Sequence, residues 1–147
     1  MVRVVRASKE QLEEIVPLFD QYRLFYKQDS DLNGARVFLT DRFNKNESVI
    51  FLAYFNGNPV GFTQLFPMFS SVSMQRSYVL NDLYVTPSYR GKKIGEALLN
   101  KAKELCIASN AKGLSLETGI HNPAQKLYEK LHWVKDVDGF HYFWTAQ

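Results

Sequence analysis

The sequence predicts a mixed α/β (α+β) fold, built as one domain over residues 1–147. Segments with strand and helix patterns follow one another in the order βααβββαβαββ. The strands in the middle of the chain are joined by turns short enough for antiparallel pairing, whereas a helix separates the fourth and fifth strands, as in a parallel crossover. A hydrophobic content of 46% in 147 residues can supply one core.

The first three elements have clear local signals. Val2–Arg6 is a short β-branched run that predicts the first strand. Ser8 and Gln11 have the spacing of a capping box, which predicts a helix from there to about Tyr26. Asp31 is a suitable N-cap for a second helix, because its carboxylate can accept a backbone N–H of the first turn.

The next three strands are predicted from apolar runs and turn residues. Ser48–Phe55 is nearly all apolar, as expected of a buried strand. The Asn-Gly-Asn-Pro turn at 56–59 returns the chain into a third strand, Val60–Phe69. A turn at 70–75 leads into the fourth strand, Gln75–Val85.

The last third of the chain contains the crossover and the final strands. An amphipathic pattern predicts a helix over Gly91–Ala108, followed by a strand at Gly113–Thr118 and a short helix at Asn122–Leu131. Trp133–Lys135 and Phe140–Thr145 are expected to pair as a final hairpin across an Asp-Gly turn.

Composition and charge narrow the classes of function. The formal net charge of +3 is too small and too dispersed to require nucleic acid. The N-terminal residues contain no uninterrupted apolar run of the kind found in a signal peptide, and no apolar run approaches the about 20 residues that span a membrane. A single cysteine is compatible with a reducing compartment. We therefore expect a cytoplasmic protein that contacts neither nucleic acid nor membrane.

A basic loop precedes the crossover helix, and it is the most informative motif of the chain. It reads Arg90-Gly91-Lys92-Lys93-Ile94-Gly95. Cations at a helix N-terminus oppose the macrodipole and lower stability by a few tenths of a kcal/mol each. A bound polyanion reverses this sign, because the free backbone N–H groups, the dipole and the cations then act together. The loop therefore predicts a site for a phosphorylated cofactor.

Two motifs in order give the chain a resemblance to the GNAT (Gcn5-related) N-acetyltransferases along essentially its whole length. The family's Arg/Gln-x-x-Gly-x-Gly/Ala signature corresponds to residues 90–95, with Lys93 where Gly is usual. Its second landmark, an Asn, a small residue and a Tyr after the fifth strand, corresponds to Asn122, Ala124 and Tyr128. His132 stands where the family usually has Gly, so it must adopt a left-handed conformation or end the helix differently.

The resemblance implies a fold, a cofactor and a set of roles. The central sheet would be splayed between strands 4 and 5, and acetyl-CoA would bind in that cleft. A bulge in the fourth strand would free main-chain N–H groups for the acetyl and pantetheine groups, Asn122 would contact the pantetheine arm, and Tyr128 would protonate the leaving thiolate. The implied cofactor-binding residues are Leu83, Tyr84, Val85, Arg90, Gly91, Lys92, Lys93, Ile94, Gly95, Glu96, Asn122, Ala124 and Tyr128. The resemblance also implies a homodimer, and the aromatic segment 140–144 suits an exposed edge strand.

The general base does not carry over from the family. Related enzymes have a Glu where this chain has Asn81, and an amide cannot accept the proton. Asp82, Glu117 and a water relay are the three alternatives. A buried carboxylate near an apolar cleft would have a raised pKa, which suits a base that works near neutrality.

The sequence leaves the acceptor amine open. Tyr22, Phe25 and Tyr26, with Asn81, are candidate substrate-binding residues, and Asp29 or Asp31 could complete a cation site beside the rings. Phe19, Tyr22 and Tyr26 recur at i, i+3 and i+7, a spacing that is equally typical of the buried face of a helix. Arg23 and Lys27 would repel a polyamine and suit an amino acid carboxylate. A polyamine, an amino acid, an aminoglycoside-like compound and a protein amine all remain possible acceptors.

Two other classes of function are compatible with parts of the sequence. A noncatalytic acyl-CoA sensor would keep the phosphate loop and lack a base, as Asn81 allows. A nucleotide-binding or nucleic-acid module is less consistent, because Lys93 follows Gly91-Lys92 where a Walker motif would have Ser or Thr after Lys. The expected function is transfer of acetyl from acetyl-CoA directly to a primary amine.

Overall fold

The computed structural model describes residues 1–146 and separates into two compact units. The first unit is Met1–Glu117, and the second begins at Thr118. The organisation of the chain as a single domain stays a prediction from the sequence.

Five strands of the first unit form one mixed sheet with the order β1-β2-β3-β4-β5. Their bounds are β1 Val2–Arg6, β2 Val49–Phe55, β3 Asn58–Ser70, β4 Gln75–Val85 and β5 Leu114–Ser115. Neighbours from β1 to β4 are antiparallel, and β5 lies parallel to β4. The predicted mixed α/β fold is confirmed, and the parallel pairing extends over only two residue pairs, as expected of a sheet that splays between strands 4 and 5.

Residues 1–146 form four α-helices, three of them in the first unit. They are α1 Leu12–Phe25, α2 Leu32–Asn44, α3 Ile94–Ala108 and, in the second unit, α4 Gln125–Lys130. Ile50, Leu52 and Tyr54 of β2 belong to the core cluster that α1 and α2 complete. The strand β2 is buried at all but its last residue, and α3 contacts β1 to β4, so both faces of the sheet are covered.

The helix starts follow the sequence signals. Ser8 and Gln11 form the predicted capping box around a 3-10 turn, Lys9–Gln11, that leads directly into α1. The Asp31 carboxylate accepts the N–H of Gly34 at 2.8 Å and caps α2. Gly34 is required for this cap, because a Cβ there would collide with the Asp31 carboxylate.

All four helices end in the same way, with a left-handed residue that is not glycine. The backbone N–H groups of this residue and of the next one close back onto the last helical turn, which is the Schellman arrangement. The left-handed residues are Lys27, Asn46, Asn110 and His132. His132 (φ 70°) therefore takes the left-handed alternative that the sequence left open, at a cost of about 1 kcal/mol.

Three predicted elements are shorter than expected. Helix α3 begins at Ile94 rather than Gly91, because Gly91 and Lys93 have positive φ angles of 80° and 65°, which a right-handed helix excludes. Strand β5 covers two residues instead of Gly113–Thr118, because only Leu114 and Ser115 pair with β4. Helix α4 begins after Asn122, whose Oδ1 accepts the N–H of Ala124 at 2.9 Å and holds a turn there.

The predicted final hairpin is wrong for the described part of the chain. Neither Trp133–Lys135 nor Phe140–Thr145 forms a strand. The aromatic side chains from Phe140 to Trp144 are between 81% and 90% exposed, so the segment buries no face. An isolated two-stranded hairpin is only marginally stable in water. A strand-like residue pattern on either side of an Asp-Gly turn therefore does not suffice to stabilise one.

Among the described residues, no helix is both long enough and apolar enough to cross a bilayer.

Candidate active site

A bulge in β4 is the central irregularity of the sheet. Gln64 of β3 is paired with Asp82, whereas the next residue, Leu65, is paired with Leu80. Asn81 is therefore the extra residue on β4, two positions before the segment Leu83–Val85 where the resemblance placed the bulge. Helix α1 contacts this point directly, because the hydroxyl of Tyr22 donates to the carbonyl of Asn81 at 3.0 Å.

The bulge is followed by Asp82, which is one of four buried polar or charged residues in the described chain. Only 2% of Asp82 is exposed. One carboxylate oxygen accepts Gln64 Nε2 at 2.6 Å, and the other accepts Asn81 Nδ2 at 2.6 Å. Its backbone carbonyl accepts the hydroxyl of Thr63 at 2.7 Å. The carboxyl group is fixed by neutral amide donors, and residues 1–146 provide no cation that pairs with it.

This surrounding changes the acidity of Asp82. Burial raises the pKa of the carboxyl from 3.8 to about 6, because the charged form loses its hydration. The hydrogen bonds from Asn81 and Gln64 lower the pKa and offset part of that rise. A carboxyl of this kind is deprotonated near neutral pH and still basic enough to take up a proton.

A pocket of ≈ 370 Å³ opens onto Asp82 in the first unit. Helices α1 and α2 form one side, with the rings of Phe19 and Phe38 stacked 5.8 Å apart. The remaining lining residues are Tyr22, Arg23, Asp31, Gly34, Ala35, Gln64, Phe66, Asn81 and Asp82. The pocket is thus largely aromatic, with a small number of polar groups around the carboxyl, as is typical of a small-molecule site.

Gln64, which lines this pocket, has one buried hydrogen-bond acceptor without a donor among residues 1–146. The residue is 1% exposed, and its Nε2 is committed to Asp82. That bond fixes the amide orientation, so Oε1 is the free end, and no donor within residues 1–146 reaches it. A buried acceptor without a donor costs about 1–3 kcal/mol.

The basic loop has the geometry of an anion cradle. Gly91 and Lys93 are both left-handed, and they bring the chain into α3 with its first N–H groups outside any intrahelical bond. Lys93 is the N-cap residue and makes no side-chain cap. Lys92 lies over the ring of Phe55 at 5.5 Å, and Arg90 donates to the carbonyl of Val85 at 2.9 Å. These cations are exposed, and no carboxylate pairs with them in the described chain.

Lys93 explains why Gly is the usual residue at its position. Its φ of 65° lies in the left-handed region, which costs a non-glycine residue roughly 1 kcal/mol or more. The loop therefore keeps the conformation that glycine would allow and carries one extra positive charge there.

The second half of β4 has an open edge. β5 pairs only with Tyr78 and Val79, so no strand formed by residues 1–146 pairs with Leu83–Val85 on that side. On its other side, β3 approaches so closely that a Cβ on Gly61 would lie 2.7 Å from the carbonyl oxygen of Tyr84. Main-chain groups of this segment are therefore accessible from one side only, which is compatible with the predicted main-chain contacts to a bound thioester.

In the second unit, Asn122 and Tyr128 have well-defined local positions. Asn122 caps the turn before α4, and Gln125 Nε2 donates to three carbonyls of the same turn. The ring of Tyr128 lies 5.9 Å from that of Trp133. The backbone N–H of Trp133 donates to the Tyr128 carbonyl at 3.0 Å and closes the helix end. The predicted contacts of Asn122, Ala124 and Tyr128 with a cofactor stay predictions.

The pocket collects some of the predicted residues and omits others. Tyr22, Asn81 and Asp82 line it. Phe25 and Tyr26 are 55% and 51% exposed and lie outside the lining, and Glu117 is exposed and also lies outside it.

Sequence reasoning missed Gln64 as a pocket residue. A signal for it existed, since Thr63 and Gln64 interrupt an otherwise apolar strand and are both buried. A polar pair in such a strand needs partners, and the partner here is Asp82.

Comparisons with known proteins agree with this architecture. The profile of the acetyltransferase (GNAT) family matches residues 12–133. An uncharacterized N-acetyltransferase of Bacillus subtilis (strain 168), YhfO, is 47% identical over 142 residues, which are 96% of this chain and 95% of the relative. A probable acetyltransferase of Haemophilus influenzae is 31% identical over 141 residues, covering 87% of this chain and 97% of the relative. The crystal structure of a probable acetyltransferase superposes with a TM-score of 0.93 at 36% identity, covering 99% of this chain and 98% of the other.

The buried Asp82 predicts a pH-dependent stability. Its folded pKa of about 6 exceeds the ordinary 3.8, so the folded state binds more protons than the unfolded state between these values. The contribution of Asp82 is therefore complete below about pH 4 and is lost as the pH rises through about 6. A shift of about 2 units corresponds to about 3 kcal/mol at full ionisation.

We expect Asp82→Asn to remove this loss. Urea unfolding at several pH values should show the wild type losing stability relative to Asp82→Asn between about pH 4 and 7. Asp29→Asn, which removes an exposed carboxylate next to α1, is the matched control and should run parallel to the wild type. Parallel curves for the wild type and Asp82→Asn would contradict the raised pKa.

Proposed function

The chain belongs to the GNAT acetyltransferase family, and from this premise we propose that it transfers the acetyl group of acetyl-CoA directly to a primary amine. The observation that carries the proposal is Asp82, a buried carboxyl with a pKa raised to about 6 that opens into the aromatic pocket. Asp82 takes the place of the family Glu that Asn81 replaces, from the next position along the strand.

Residues of the first unit fit a coenzyme A pyrophosphate. The left-handed conformations of Gly91 and Lys93 lead into a helix whose first N–H groups need acceptors, and exposed cations lie beside them. We assign the pyrophosphate to Arg90–Glu96 and the thioester carbonyl to main-chain groups of Leu83–Val85. Acetyl-CoA would supply the acetyl group in an activated form, as a thioester.

The residues of the chain would then act on protons and on position. Asp82 and Gln64 Oε1 hold the acceptor nitrogen, and Asp82 takes the proton that the nitrogen gives up as it becomes an amide. Tyr128 returns a proton to the departing sulfur, so that coenzyme A leaves as a thiol. No acetyl-enzyme is required, which agrees with the burial of Cys106, whose thiol pKa is raised by that burial.

Asp82 can be tested as the base against its alternative, Glu117. Because a base must be deprotonated, kcat/KM for an amine acceptor should rise with pH through about 6. Asp82→Asn should lower kcat by about 100-fold or more and abolish the rise of kcat/KM with pH near 6. Glu117→Gln should keep both the kcat of the wild type and this rise of kcat/KM. Loss of the rise in Glu117→Gln, with Asp82→Asn near wild type, would transfer the role to Glu117. An unchanged rise in both variants would favour a water relay.

The basic loop can be tested by binding alone. Lys92→Ala and Lys93→Gly should each raise the Kd of coenzyme A several-fold at low salt, and the difference should shrink as salt is raised from about 50 to about 500 mM. Lys93→Gly removes the charge while it relieves the left-handed conformation, so any loss of affinity reports the charge. Lys112→Ala, an exposed cation outside the loop, is the control. Unchanged affinity in all three variants would leave only main-chain contacts to the phosphates.

Tyr128 is proposed as the acid, and its hydroxyl can be removed without loss of the ring. Tyr128→Phe should lower kcat by about tenfold or more while the Kd of coenzyme A changes little, because the hydroxyl acts on the leaving sulfur. The ring contact with Trp133 is kept by Phe, so helix α4 should remain intact. Equal losses in kcat and in cofactor affinity would assign the hydroxyl a binding role instead.

If the chain is instead a noncatalytic acyl-CoA sensor, the same assays should give the opposite result. It would bind coenzyme A at the loop and release none from acetyl-CoA with any amine between about pH 6 and 9. A cytoplasmic location and a homodimer also belong to the proposal, and size-exclusion chromatography with light scattering tests the second.

A further inference from the structure

From the pocket that opens onto Asp82, we propose the class of the acceptor: a small amine that also carries an anionic group, as an amino acid does. This inference rests on the proposed acetyl transfer and specifies its second substrate. It depends on the polar groups of Asp82, Gln64 and Arg23 and on the aromatic rings of the same pocket.

The amine end of the acceptor is defined by two buried acceptors. Asp82 is held by amide donors and has no cationic partner in the described chain, and Gln64 Oε1 lies unsatisfied in the same lining. A primary amine in its ammonium form has three N–H donors and a positive charge. It can therefore donate to both acceptors at once. After it loses one proton to solvent, the neutral amine attacks the thioester carbonyl and gives its next proton to the Asp82 carboxylate.

The anionic end is defined by Arg23, the one cation in the lining. Its Nη1 donates to the backbone carbonyl of Asp29 at 2.8 Å, which orients the guanidinium. No carboxylate within residues 1–146 forms an ion pair with it, in contrast to Arg36 and Arg42, which pair with Glu13 and Glu47. A guanidinium has five N–H donors in a fork that matches a carboxylate, so most of the fork is available for a ligand.

The second carboxylate in the lining, Asp31, already has a structural role. Its Oδ1 accepts the N–H of Gly34 and caps α2, where the helix dipole also stabilises the negative charge. A polyamine would have to use this engaged carboxylate for its second ammonium and would place that ammonium in the pocket that contains Arg23. An anion on the acceptor meets the opposite situation, because no carboxylate among residues 1–146 forms an ion pair with Arg23.

The rings of Phe19, Tyr22, Phe38 and Phe66 complete the lining. They provide an apolar contact surface in the same pocket as the polar groups, and the ≈ 370 Å³ of the pocket is at the lower end of the range for small-molecule sites. The acceptor is therefore expected to have an apolar body of about the size of a hydrophobic amino acid.

The test compares acceptors that share a body and differ in the anion. Phenylalanine, phenylalaninamide and phenethylamine form one series, leucine, leucinamide and isoamylamine form a second, and spermidine represents polyamines. Release of free coenzyme A from acetyl-CoA is measured for the wild type, Arg23→Gln, Arg23→Lys and the control Arg36→Gln. Arg36→Gln also removes one guanidinium, from a surface ion pair outside the pocket.

We expect the wild type to prefer the amino acids. Arg23→Gln should lower kcat/KM for them at least about tenfold and leave the amides and simple amines within about twofold, as expected for loss of one charged hydrogen-bond pair. Arg23→Lys should retain part of the preference, and Arg36→Gln all of it. Comparing each acceptor between variants cancels the different basicities of the amines.

One measurement avoids variants altogether. 3-Phenylpropionate, which has the body and the carboxylate of phenylalanine without its amine, should inhibit competitively against the amine, and 3-phenylpropanol should not. Preference for spermidine or for the uncharged amines, or an equal effect of Arg23→Gln on all acceptors, would overturn this inference while acetyl transfer stands. Failure of every amine to release coenzyme A, with coenzyme A binding intact, would overturn the proposed function itself.

Discussion

Burial of the Asp82 carboxyl is the constraint on which the site in the first unit depends. An ionised carboxylate in an apolar surrounding is unfavourable unless donors approach it, and two neutral amides, from Gln64 and Asn81, do so at 2.6 Å. The donor from Asn81 exists because β4 bulges at that residue, and the bulge is held by the Tyr22 hydroxyl on the Asn81 carbonyl. Helix α1, strand β3 and the irregularity of β4 are thus coupled through one acidic group. Because these donors are neutral, they leave the pKa of the carboxyl raised, whereas a cation in their place would have lowered it.

A second property of the chain is its repeated use of left-handed residues that are not glycine. The four helix ends place Lys, Asn or His at this position, and Lys93 does the same at the start of α3. At the helix ends the conformation is stabilised by two backbone hydrogen bonds each, so its cost is locally offset. Lys93 has no such closing pair: its backbone carbonyl accepts the N–H of Ala97, and its side chain caps nothing. Lys93 therefore keeps a strained backbone conformation and also places a cation at the positive end of a helix. A bound anion would relieve the electrostatic cost of that cation.

The sequence predicted the features that depend on neighbouring residues. The capping box at Ser8, the cap at Asp31 and the strand Gln75–Val85 are recognisable within a few positions, and all three are confirmed. The bulge was expected at Leu83–Val85 and lies at Asn81, because its position depends on the register with β3, a partner about 17 residues away along the chain. The roles of Gln64 and Arg23 depend in the same way on which segments meet at the pocket. The final hairpin shows the opposite error: its local signals are strong, but the exposed side chains of residues 140–144 provide no packing to stabilise it.

The costs in the pocket have a common explanation. Gln64, Asp82 and Arg23 all line one pocket. Among residues 1–146, no donor reaches Gln64 Oε1 and no carboxylate forms an ion pair with Arg23, and burial raises the pKa of Asp82. The missing donor at Gln64 and the raised pKa of Asp82 lower the stability of the folded chain by a few kcal/mol each, which is a large fraction of the about 5–15 kcal/mol available to a typical domain. Chemically the three side chains are two acceptors, one of them a base, together with one forked donor for an anion. A core designed only for stability would replace Gln64 and Asp82 with apolar residues of similar volume, since a buried polar pair contributes little against that alternative. Their presence is therefore better explained by a ligand that supplies the missing donor and the missing anion, and a zwitterionic amine supplies both.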